Sequence, residues 1–131
     1  MITSRPASVR AYRESEILTA SKERLLVLTF DALVAALTRA KVGAGMENRE
    51  VCLDGIDRAR GFLTELLVTL DYEAGGDIAK RLSAIYVFVL SDLDRLSLRP
   101  DARQLERHAH MMTELRDAFA QAAATCVAGA A

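Results

Sequence analysis

Cysteine and proline are scarce in this 131-residue chain, two of each, and no sign of charge predominates, with 17 Lys and Arg against 18 Asp and Glu. The balance lacks the basic excess that binding to a phosphate backbone draws on, so nucleic acid is not an expected partner. Cys52 and Cys126 lie far apart in apolar surroundings, without Cys-x-x-Cys or Cys/His spacing, and read as small core residues. No stretch approaches the ~20 uninterrupted apolar residues of a membrane span, and the opening Met-Ile-Thr-Ser-Arg-Pro lacks the apolar run of a signal peptide. No segment alternates apolar and polar residues between turn signals, so no sheet is expected. These absences together predict a reduced, cytoplasmic protein without membrane insertion.

What is present is apolar content, 51% of residues, enough for one core at this length. Pro6 and Pro100, with the glycine pairs Gly43/Gly45 and Gly75/Gly76, divide the chain into four periodic segments. The first opens at Ser21, a residue able to cap a helix, and carries Leu26, Phe30, Leu33 and Leu37 at steps of four and three. The second repeats the spacing at Cys52, Ile56, Ala59, Phe62 or Leu63, Leu66 and Leu70 and ends near Asp71. In the third, Asp77 can cap a helix bearing Ile78, Leu82, Ile85, Val89, Leu93 and Leu96. Pro100 suits the first turn of a fourth, with Leu105, His108, Met112, Leu115, Phe119, Ala122 and Cys126 on one stripe. Short connections return each helix beside the one before it. The fold class expected is therefore all-α, an antiparallel up-down four-helix bundle over residues 21–131, with residues 1–20 as a mobile N-terminal leader.

Bundle enzymes of the di-iron kind need Glu-x-x-His pairs on two helices, and this chain has none. His108 and His110 do not share a helix face, and His108, on the apolar stripe, reads as a structural histidine. No Ser/His/Asp set or phosphate-cradling glycine loop is present, so neither enzyme activity nor a cofactor or metal is expected. The third segment is apolar nearly all round at Ile85, Val87, Phe88, Val89 and Leu90, which makes that helix either overloaded core or a docking surface. Gly55 and Gly61, inside the second helix, fit either a deepened groove or close packing between helices.

Tyr12, Leu18-Thr19-Ala20-Ser21, Leu25-Leu26, Phe30-Asp31, and above all Leu70-Asp71-Tyr72-Glu73-Ala74-Gly75-Gly76-Asp77-Ile78-Ala79 with Leu82 and Tyr86, resemble the flagellar export chaperone FliS family. The resemblance runs from about Tyr12 to Phe119. It implies a small cytoplasmic chaperone that binds the disordered C-terminal segment of flagellin, blocks premature polymerisation and delivers it to the flagellar type III export gate, with a co-chaperone or flagellar regulator as a further partner. A helical adaptor binding other flagellar regulators is the alternative.

By the same resemblance, Tyr12 belongs to a leader that lies across the flagellin groove and influences release, anchored by Ile17 and Leu18. Ile78, Leu82, Ile85, Tyr86 and Val89 are the candidate contacts on the third helix, with core packing as the competing role for about half of them. Three departures from the family pattern stand out. Ala32 follows Phe30-Asp31 where glycine is usual, Lys80-Arg81 precede Leu82 where x-Asn is usual, and Tyr86-Val87-Phe88 replaces Tyr-Asp-Tyr. The last gives a more apolar surface and the expectation of weak self-association, a homodimer in the absence of client.

Overall fold

A computed structural model describes the backbone of residues 7–130, and side chains over residues 9–14 and 22–124. The described residues form four helices and no strand: α1 (Ala7–Gly45), α2 (Arg49–Val68), α3 (Tyr72–Leu98) and α4 (Ala102–Ala130).

Each connection is short because a polar side chain starts the next helix at once. Asn48 accepts from the Val51 N–H at 3.2 Å at the head of α2, and Asp71 accepts from the Ala74 N–H at 3.0 Å at the head of α3. Asp101 Oδ1 accepts from the Arg103 and Gln104 N–H groups at 3.0 and 3.2 Å. Cross-helix contacts give the packing order. Asp31 meets Arg116 and Lys41 meets Glu106, so α4 runs antiparallel to α1. Arg39 reaches Asp54 on α2, Arg60 of α2 reaches Asp94 on α3, and Asp92 of α3 holds His108 on α4. Most of these surface pairs are worth less than about 1 kcal/mol each. The larger contribution is burial of Phe30, Leu33, Leu37, Ile56, Leu63, Val89, Leu93, Leu96, Leu105 and Met112, none of which exposes any surface, at about 1.5–3 kcal/mol apiece for the large side chains.

Three expectations about helix boundaries are corrected. Ser21 does not open the first helix, and residues 7–20 are part of α1, which spans 39 residues. No glycine or proline interrupts the chain between Pro6 and Gly43, so nothing in the covalent backbone stops the helix. Asp71, not Asp77, caps α3, and the helical ladder breaks further on at Gly76, with φ 50° and ψ −124°. Pro100 precedes α4 instead of entering its first turn.

The lone glycines of α2 separate into two cases. A Cβ on Gly55 would lie 2.5 Å from the Ala40 nitrogen and 2.7 Å from the Ala36 carbonyl oxygen, so its role is close packing of α2 against α1. A Cβ on Gly43 would likewise run into the backbone of Cys52. Gly61 faces open space. Cys52 is a fully buried core residue; the Cys126 side chain lies outside the described residues.

Candidate functional site

The motif from Leu70 to Ala79 is a device for ending one helix and starting another. The Asp71 side chain takes the Ala74 N–H, its carbonyl takes the Gly75 N–H at 2.8 Å, and Gly76 then adopts a positive φ that a side-chain-bearing residue rarely tolerates. This short turn forms one wall of a groove of about 460 Å³ at the open end of the bundle. Glu23 and Leu26 of α1, Leu66 and Thr69 of α2, and Phe119 of α4 supply its other walls, with Ile78, Ala79, Leu82 and Tyr86 along α3. A second hollow of about 490 Å³ runs between α1 and α2 and shares Glu23, Leu26, Leu66 and Thr69 with the first. Leu25, 61% exposed, borders that hollow.

The candidate contacts of α3 are thus divided. Ile78, Leu82 and Tyr86 line the groove together, Ile78 standing 68% exposed at its rim and Leu82 and Tyr86 buried at its floor. The Tyr86 ring packs on Phe30 at 6.3 Å, and burial pushes its hydroxyl pKa up to about 12, so it stays an uncharged phenol. Phe30 in turn stacks on Phe119 at 5.4 Å, tying the floor of the groove to α4. Ile85 packs half-buried against the core, and Val89 is sealed within it, as ordinary core side chains. The surplus apolar face expected on α3 is present at Val87 and Phe88, both about half exposed.

Tyr12 is 67% exposed on α1. Leu26 lies fourteen positions further on, about 21 Å along a continuous helix, so in this arrangement Tyr12 does not line the groove. The side chains of Ile17 and Leu18 lie outside the described residues.

His108 is structural, as its place on the stripe implies, but its partner was not legible in the sequence. Its Nε2 stands 2.5 Å from Asp92 Oδ2, which also accepts from Gln104 Nε2 at 3.1 Å, while Arg95 donates to Asp92 Oδ1. Burial alone would raise the Asp92 carboxyl. The hydrogen bonds from His108, Arg95 and Gln104 outweigh it and hold the pKa below its ordinary value. The Phe88 ring packs edge-on over His108 at 5.9 Å and closes the site from outside. Among the described residues no three His, Cys, Asp or Glu side chains gather as a metal site, and no helix is long and apolar enough to cross a membrane.

Sequence reasoning missed Glu23. It precedes Leu26, Phe30, Leu33 and Leu37 on the same stripe, a charge where the spacing calls for an apolar residue, and that mismatch was the available signal.

Comparison with known proteins bears on this groove. The family model described as flagellar protein FliS matches residues 5–126. The flagellar secretion chaperone FliS of Salmonella typhimurium strain LT2 is 30% identical over 122 residues, covering 88% of this chain and 89% of the relative. The protein of the same name from Escherichia coli K12 is 27% identical over 107 residues, covering 81% and 79%. That of Campylobacter jejuni is 26% identical over 109 residues, covering 83% and 85%.

Proposed function

We propose, on the premise that this chain belongs to the flagellar protein FliS family, that it is a non-enzymatic export chaperone whose groove holds the C-terminal segment of flagellin. The observation carrying this reading is the apolar groove between α1, α2 and α3, with Ile78 largely exposed at its rim. A disordered segment that later coils against its neighbours in a filament needs a substitute apolar partner while monomeric. A groove between helices supplies one to an amphipathic helix. Binding there shields the segment from premature polymerisation and keeps it unfolded enough for delivery to the export gate in the bacterial cytoplasm. No nucleotide hydrolysis enters the scheme, because binding and release exchange one apolar contact for another.

Tyr12, Ile17 and Leu18 belong in this reading to a segment that influences release. To lie across the groove it has to leave the helical course of α1 before Lys22. The half-exposed Val87 and Phe88 support weak self-association in the absence of client.

Calorimetric titration with flagellin of the same organism, intact and lacking its C-terminal segment, tests the proposal. The expected result is binding of the intact form alone, with a negative heat-capacity change from buried apolar surface. Equal binding of both forms, or of neither, would overturn it and leave a helical adaptor for other flagellar regulators as the better description.

A further inference from the structure

Glu23 lies on the apolar stripe of α1 and lines both the groove and the adjoining hollow. Its Oε2 is shut off from solvent and has no hydrogen-bond partner. Lys22, beside it in sequence and also lining the hollow, makes no ion pair with it among the described residues, nor does any other cation. A carboxylate oxygen removed from water without a donor is unfavourable, and native structures seldom keep one without a use for it. Leu26, Leu66 and Leu70 are the aliphatic lining of the groove, while Thr69 borders both spaces and its hydroxyl donates to the Glu65 and Leu66 carbonyls. The surface therefore combines apolar contact with a single unmet demand for a donor.

We propose that Glu23 is a recognition residue: the groove takes an amphipathic helix that carries one Lys or Arg among its apolar anchors, and this cation pairs with Glu23 Oε2. The inference rests on the client reading above and specifies the chemistry of the client. A wholly apolar helix laid over Glu23 would complete the desolvation of the carboxylate and leave it unpaired, so such a segment is rejected. A basic side chain at the matching position is accepted, because ammonium and guanidinium groups donate strongly to carboxylate oxygen. Apolar area then supplies most of the attraction, and the one ion pair sets register and selects among otherwise similar amphipathic segments.

A double-mutant cycle tests this with the full-length chaperone, unaltered and as Glu23→Gln. Each is titrated with flagellin of the same organism in which each Lys and Arg of the C-terminal segment is changed singly to Met. The expected result is one basic residue whose loss weakens binding to the unaltered chaperone about tenfold or more, yet has little further effect on Glu23→Gln. Flagellin that binds Glu23→Gln as tightly as the unaltered chaperone, or that shows no coupled basic residue, overturns the pairing and leaves the client reading standing. Coupling of Glu23 to Arg10 or Arg13 of its own chain would give the groove to the N-terminal residues and overturn it too. Failure of flagellin to bind either chaperone overturns both the pairing and the client reading.

Discussion

The end of the bundle holding the α1–α2 and α3–α4 turns and the end holding the α2–α3 turn solve the same packing problem differently. At the first, Gly43 and Gly55 let α1 and α2 touch through their backbones, and the half-buried carboxylate, Asp92, engages three partners on α3 and α4. At the second, leucines and aromatics stop short of filling the space, and the carboxylate there, Glu23, keeps an oxygen with no partner. The first end closes backbone to backbone and leaves His108 Nδ1 without a partner among packed side chains; the second leaves its unpaired oxygen beside unfilled apolar space. Unmet polar demand beside unfilled apolar space marks where a fold has been left open for something else.

The largest effect expected on the closed end comes from Asp92→Ala. It strands the buried His108 Nε2 and should cost about 3 kcal/mol in urea unfolding, whereas Glu23→Ala should cost well under 1 kcal/mol. Equal costs would erase the distinction between the ends. Next comes Gly55→Ala, where the new methyl meets backbone atoms of Ala36 and Ala40 that cannot swing aside. We expect a loss of about 2 kcal/mol by the same measurement, against a gain of about 0.5–1 kcal/mol for Gly61→Ala, whose methyl meets nothing. On the open end, Ile78→Asp should leave melting close to wild type while weakening flagellin capture about tenfold, roughly 1.4 kcal/mol by titration calorimetry. Unfolding of that variant would place Ile78 with the core. The smallest effect is on acid stability. Because the folded pKa of Asp92 lies below 3.8, its contribution is present above that pH and fades as pH falls through the lower folded value. Thermal melts of wild type and Asp92→Asn should therefore converge in acid, and a gap independent of pH would deny the carboxylate its role.

Much of this contrast was legible in the residue spacing, and the rest was not for identifiable reasons. The three-and-four steps of Phe30, Leu33 and Leu37, of Ile56 and Leu63, and of Leu105 and Met112 gave the core-facing stripes, because burial obeys the helical period. The same spacing cannot say where a helix starts. Ser21 and Asp77 are as able to cap as Asn48 and Asp71, and the choice among them depends on backbone hydrogen bonds that no periodicity records. Asp92 could not be matched to His108 from the sequence, since the pairing depends on how α3 and α4 align side by side. Tyr86 shows the limit on the binding site: a tyrosine at a core position and one at a groove floor have the same spacing, and only the neighbouring helices decide how far its ring is covered.

The two small-residue contacts also act at a distance. α1 and α2 meet through their backbones near Gly43 and Gly55, and the same two helices carry Leu26, Phe30 and Leu66 further along. A methyl added at Gly55 has to push α1 and α2 apart, and because both helices run on to Leu26 and Leu66, the displacement is carried toward a groove the methyl never touches. Residues remote from the groove thus bear on its width, and a Gly55→Ala variant should change in which helices it grips as well as in how well it folds.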